Sequence, residues 1–309
     1  MSFAIPSTTS DYLLEGDPAI RWQTMRDLLN LPAEDWRVEQ ARMLSDGWGA
    51  RFLESQGADG NWPKARWTDT VWTMCTLVTI GMPPRTPGMV QGFENIVGRL
   101  MPLGKAVSRK ALTEEMDLCH LGFWLRIGAR FLPKDERLPA LTRVILELQM
   151  ADGGWNCRIR TKRNVNHSSF HTTFNVLEGL KEAAIVGIVD LAEFKSSESR
   201  ALEFMLQHLM YRSDKTGEII DQRFLDLAFP SYWHYNVLRG LDYLRETDAI
   251  HDPRLKDALD YLESRRKPNG RWPVEKRIPG DTLFDMEPMG QDSRWNTLRA
   301  LRVLKAACR

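Results

Sequence analysis

One turn, closed each time by a tryptophan, occurs three times in this chain and sets what it can fold into. Leu53-Glu54-Ser55-Gln56-Gly57-Ala58-Asp59-Gly60-Asn61-Trp62 recurs as Leu146-Glu147-Leu148-Gln149-Met150-Ala151-Asp152-Gly153-Gly154-Trp155. It recurs again, in degraded form, as Leu262-Glu263-Ser264-Arg265-Arg266-Lys267-Pro268-Asn269-Gly270-Arg271-Trp272. Asp-Gly and Asn-Gly are turn pairs, because Gly takes a positive φ without steric cost. Each copy follows an amphipathic stretch and precedes a linker and a more apolar one, so the repeating unit is a helical hairpin.

Hydrophobic periodicity extends this alternation over the whole chain. The more apolar helices are predicted to start near residues 18, 69, 115, 170, 232 and 293, and the more polar ones near 35, 88, 134, 194 and 253. Pro32, Pro83, Pro84, Pro87, Pro102 and Pro133 fall between them, where helices end. No convincing strand run is present. A helix that is apolar over most of its circumference has to be buried. Six such helices alternating with five polar ones predict an all-α chain, residues 1–309 forming one domain, with an inner ring of helices inside an outer one. In that arrangement the inner helices run parallel, so their starts gather at one mouth.

Composition removes several function classes. The formal net charge is +1, which gives no overall electrostatic case for nucleic acid or an anionic membrane. No apolar run reaches the roughly 18 residues of a membrane span, and Met1–Pro6 lacks the basic and apolar regions of a signal peptide. Cys75, Cys119, Cys157 and Cys308 have no paired spacing, which suits a reducing compartment. A cytoplasmic protein is expected.

Chemistry concentrates at the expected helix starts. Asp117 and Cys119 open one apolar helix and His171 opens another, so carboxylate, thiolate and imidazole could serve one zinc ion with a fourth position open. Each also has a structural role available to it: Cys119 as a small core residue, His171 as a cap, Asp117 as a first-turn acid. Cys157 is the alternative sulfur ligand. His167, four residues before His171, is a candidate acid or base, and so are His234 and Tyr235 at the start of the helix near 232. Arg294 opens the last apolar helix and could bind an anionic oxygen through its fork of donors. The run Arg158, Arg160, Lys162 and Arg163 could draw an anionic substrate to the mouth, or simply be a solvated surface. Trp67, Trp72, Trp124 and Trp233 could line an aromatic cavity.

The Gln-x-x-Asp-Gly-x-Trp repeats resemble those of the terpenoid cyclases and the β subunits of protein prenyltransferases, including the bacterial squalene-cyclase-like, prenyltransferase-repeat proteins. The resemblance implies an α/α toroid. Within it, Asp117-x-Cys119 and Phe170-His171-Thr172, with a separation of 52 residues from the cysteine to the histidine, look like the zinc ligands of the prenyltransferase β subunits. The departures are equally specific. No Asp-x-Asp-Asp or Asp-Asp-x-x-Asp run is present, and His120 stands where the prenyltransferases have Tyr after the zinc cysteine. Cyclisation of a long isoprenoid and diphosphate chemistry are therefore not expected. The expectation is a zinc-dependent enzyme acting on a small hydrophobic or aromatic oxygenated molecule, by a lyase step. A thiol-activating prenyl or alkyl transferase and a non-catalytic toroid that binds a lipid or a partner are its rivals.

Overall fold

In a computed structural model that describes residues 5–157 and 165–308, the three repeat turns superpose hydrogen bond for hydrogen bond. Gly57, Met150 and Lys267 each donate a backbone N–H to the residue before the tryptophan, and Gly60, Gly153 and Gly270 donate back to them. The indole Nε1 of Trp62, Trp155 and Trp272 donates to the carbonyl of Phe52, Ile145 and Leu262, with a sequence separation of 10 in every case. Leu262 is therefore the counterpart of Phe52 and Ile145. The third copy is as long as the others, and the apparent degradation is substitution without insertion.

Fourteen α-helices carry the chain among the described residues: α1 Ser7–Leu14, α2 Pro18–Gln23, α3 Ala33–Arg42, α4 Gly47–Glu54, α5 Thr70–Thr79, α6 Met89–Val97 and α7 Arg109–Glu115. The second half holds α8 Leu118–Phe131, α9 Leu138–Glu147, α10 Phe170–Ile185, α11 Leu191–Gln207, α12 Val237–Leu244, α13 Lys256–Ser264 and α14 Arg294–Ala307. The protein is mainly helical. Helices α1 and α7 were not expected. The helix expected over 35–55 is two, broken at Gly47, whose φ of +70° no side chain adopts comfortably. One strand pair exists where none was read: Trp272–Pro273 beside Asp292–Ser293, antiparallel and two residues each. No described helix is long and apolar enough to cross a membrane.

The apolar helices touch in succession. Helix α5 packs on α8, α8 on α10, α12 on α14, and α14 on α2. Arg239 of α12 bonds Glu178 of α10, and Gln23 of α2 donates to Ile80 just past α5. The alternate helices α4, α6, α9, α11 and α13 lie against α2, α5, α8, α10 and α12 respectively.

The closest pair is α8 with α10, because two glycines let the backbones meet. A Cβ on Gly179 would stand 2.5 Å from the Gly122 carbonyl oxygen, and one on Gly122 would stand 2.8 Å from that of Asn175. This contact fixes the starts of both helices, and with them Cys119 and His171. Gly179→Ala should destabilise the fold by about 1–3 kcal/mol, since the added methyl meets backbone that cannot yield. Chemical denaturation would measure it; a loss below about 0.5 kcal/mol would show that the two helices have room to part.

Candidate functional site

Five of the six apolar helices begin with a side-chain cap. Asp17, Asp69, Ser169, Asn236 and Ser293 each accept a hydrogen bond from the first turn of their own helix. Helix α8 is the exception: Asp117 occupies the cap position and makes no such bond. Cys157, just beyond the second repeat turn, takes over, its Sγ accepting from the Cys119 N–H at 3.2 Å. Asp117 thus makes no capping bond to its own helix.

Cys157 is held at that position by α10. The Thr172 hydroxyl donates to its sulfur at 3.3 Å and accepts its backbone N–H at 3.3 Å. The Cys119 thiol also donates to it, which lowers the Cys157 pKa well below the usual thiol value despite burial and raises that of Cys119. Of the two sulfurs, Cys157 is thus the more acidic, and it lies at the amino-terminal end of α8, a position that favours negative charge.

Above the pair is a cavity of about 450 Å³ at the starts of α5, α8 and α10. Asp117, Cys119, Cys157, His120 and His171 line it together with Trp72, Trp233 and Arg223. His120 packs edge-on against Phe123 and tilted against Trp72, with Nδ1 at 3.8 Å from Cys119 Sγ. His171 is set by the segment before α12: the Tyr235 N–H donates to its Nδ1 at 2.8 Å. A backbone amide can only donate, so the neutral ring carries its proton on Nε2. Burial, with His234 nearby, lowers the His171 pKa to about 4, so the ring is neutral at physiological pH.

The floor is charged. Asn175, which lines the cavity, accepts from Arg239 Nη2 at 2.9 Å. Arg239 uses its remaining donors on both oxygens of Glu178 and on the Tyr232 and His234 carbonyls. Burial alone would raise the Glu178 pKa, but Arg126 and Arg239 outweigh it and hold it at about 2.

Of the residues singled out in the sequence, the fold brings Asp117, Cys119 and His171 to one cavity and leaves others elsewhere. Tyr235 is fully buried and donates its hydroxyl to the Met210 carbonyl at 2.9 Å, so it is no proton donor to this cavity. His234 stacks on Trp233 and stands beside His171, outside the lining. Both precede α12, which starts only after the Asn236 cap. His167 faces Asp152 at 3.3 Å from an exposed position. Arg294 donates to the Tyr12 carbonyl at 2.7 Å and lies over the Tyr12 ring. Of the aromatic set, Trp72 and Trp233 line the cavity, while Trp67 stacks on Tyr232 outside it. The run at 158–163 lies outside the described residues. Arg223 and the Arg239–Glu178 floor carried no motif that could have announced them.

Among the described residues, no three Cys, His, Asp or Glu side chains stand as a group that could hold a metal ion. By donor type, two sulfurs and an uncapping carboxylate on one wall suit zinc. His171 offers an N–H there instead of a lone pair. No protein-family model matches the chain, and no curated protein matches it.

Two measurements check this geometry. Thr172→Val should slow alkylation of Cys157 by iodoacetamide in chelator-treated protein at neutral pH, because the thiolate loses a donor; peptide mass mapping reads the rate. Glu178 has a folded pKa below the unfolded value, so its stabilisation is full above about pH 4.3 and is lost as pH falls toward 2. Glu178→Gln should remove that part of the acid dependence and cost about 3–5 kcal/mol at neutral pH, two buried guanidinium groups having lost their carboxylate.

Proposed function

We propose that the protein is a zinc-dependent enzyme of the α/α toroid class, acting on a small apolar or aromatic molecule that carries oxygen, by an elimination (lyase) step. The toroid part of this reading rests on the succession of contacts from α5 through α8, α10, α12 and α14 back to α2, with the other helices alternating outside. The observation that carries the activity is the convergence of Cys119 and Cys157, next to an Asp117 that does not cap its helix, at a cavity walled by indole rings.

Asp117, Cys119 and Cys157 line one cavity without standing as a metal-binding group, and would have to draw together to hold the ion; this departs from the Asp117, Cys119 and His171 set that the resemblance implies. Zinc bound by three protein groups supplies a Lewis acid that polarises a hydroxyl or carbonyl oxygen. The rest falls to the chain's own side chains. Trp72 and Trp233 offer flat apolar walls that orient a ring and exclude water. The neutral His171 ring, kept in place by the Tyr235 N–H, would steady the leaving oxygen with a hydrogen bond from Nε2–H without surrendering that proton, and His120, which lines the same cavity, would take the proton from carbon. Arg223 at the rim adds a cation that favours a substrate with an acidic oxygen.

The test is metal content by inductively coupled plasma mass spectrometry on protein purified without added metal, and after remetallation. About one zinc per chain is expected, lost in Cys119→Ala and Cys157→Ala and retained in His171→Gln. Loss in His171→Gln as well would return the imidazole to the ligand set. No zinc in the wild type, even after remetallation, would overturn the metalloenzyme reading.

A further inference from the structure

A second cavity, separate from the first, lies between the carboxyl-terminal halves of α5, α8 and α10 and the flanks of α12, α14 and α2, with a volume of about 230 Å³. Its surroundings hold more positive than negative charge. Glu178 pairs with Arg126 and Arg239, and Glu182 lies near Arg130. Asp242 serves Arg245, Arg299 and Arg302, while Glu246 serves Lys181. Asp27, behind the wall, pairs with Arg26 and reaches Arg302. Eight cationic side chains thus line the cavity and share five carboxylates, leaving an excess of three positive charges among the described residues.

Most of these groups are withdrawn from water. Arg239, Arg299 and Arg302 have side chains 4%, 7% and 8% exposed. Those three are paired with Glu178 and Asp242, so the excess falls on the partly buried cations around them and makes the cavity attractive to an anion. The carbonyl ends of α5, α8 and α10 answer part of it, since helix carboxyl termini favour cations. They do not answer the second observation. Four residues that line this cavity also carry a buried nitrogen with no hydrogen-bond partner among the described residues: Trp22 Nε1, Trp295 Nε1, Arg126 Nε and Arg130 Nε. All four are N–H donors, and Trp22 and Trp295 are 2% and 1% exposed. Unmet donors around a positive cavity ask for a ligand that only accepts.

We infer that this second cavity is a binding site for a compact multivalent oxyanion of the phosphate class, gripped by Arg126, Arg130 and the neighbouring guanidinium groups. The forked N–H donors of arginine match two oxygens of such an anion at once. The site does not depend on the zinc reading. Asn175 on one side and Arg239 on the other separate the two cavities, joined by a single hydrogen bond of 2.9 Å.

Isothermal titration calorimetry with inorganic pyrophosphate and inorganic phosphate, at ionic strength held constant with sodium chloride, tests the inference; thermal unfolding with the same anions accompanies it. Saturable binding and a matching rise in Tm are expected for the wild type. Arg130→Gln should weaken binding about tenfold or more, a charge-assisted contact being lost. Glu182→Gln should tighten it, because the cavity becomes more positive. Arg99→Gln, which breaks a surface pair with Glu115, should change nothing. Absence of saturable binding by the wild type would overturn the site whatever the variants do. Binding indifferent to both Arg130→Gln and Glu182→Gln would place the anion elsewhere. Saturable binding of citrate with neither phosphate nor pyrophosphate would overturn the phosphate assignment.

Discussion

Arg239 is the side chain through which the rest of the structure communicates. It sits in the first turn of α12 and spends all its donors inside the protein: two on Glu178 of α10, one on Asn175 of the same helix, and two on the Tyr232 and His234 carbonyls that precede its own helix. A guanidinium group fits this role because its donors lie in one rigid plane and its charge cannot be titrated away. The bonds to Tyr232 and His234 hold the segment whose Tyr235 N–H sets the His171 ring, so the tautomer facing the cavity traces back to a residue the cavity does not contain. The Asn175 bond closes the floor of that cavity. Without Glu178 the arrangement would bury an unmet charge, which is why neither partner can be exchanged alone.

Much of this architecture was legible because it rests on local rules. The repeat turns announce themselves through Asp-Gly and Asn-Gly, and the helices through apolar spacing. Asp117, Cys119 and His171 could be expected near one another because helix starts were expected to share a mouth. The departures have equally local causes. Tyr235 and His234 were placed in α12, yet Tyr232 takes a φ of +47° and the cap falls at Asn236, so both stay in the preceding turn. Arg294 was read for its charge, and Tyr12 of α1, a helix not foreseen, claims it. Cys157 could be seen as an alternative ligand, but its capping of α8 depends on Thr172, 15 residues on, which no short-range pattern encodes.

The charged interior is the larger omission, and its reason is instructive. Arg126 and Arg130, Glu178 and Glu182, and Arg299 and Arg302 stand three or four residues apart in helices that are otherwise largely buried. That spacing places each pair on one helical face. Read helix by helix, such a face is ordinarily the solvent side. Here the faces of several helices turn toward one another, so charges that look solvated in any single helix become mutual partners. Asp242 is the extreme case: burial would raise its pKa, yet Arg302, Arg299 and Arg245 hold it well below the usual carboxylate range. The interior is thus partly ionic as well as apolar, and it depends on matched charge as much as on volume.

The tryptophan turns carry a consequence for how such a chain can change. In all three, the indole reaches back a constant distance to the preceding helix, while its backbone N–H binds a threonine that begins the next apolar helix. The first span never varies, but the second is 8 residues at Thr70, 18 at Thr173 and 25 at Thr297. Turn and helix remain locked together across the insertion, so added residues need not shift either anchor. The described ends of the second span, Asn156, Cys157 and Ser169, line the cavity that holds Trp72 and His171. Length variation in that span therefore falls at the rim, where a lineage could remodel what enters while the framework beneath stays unaltered.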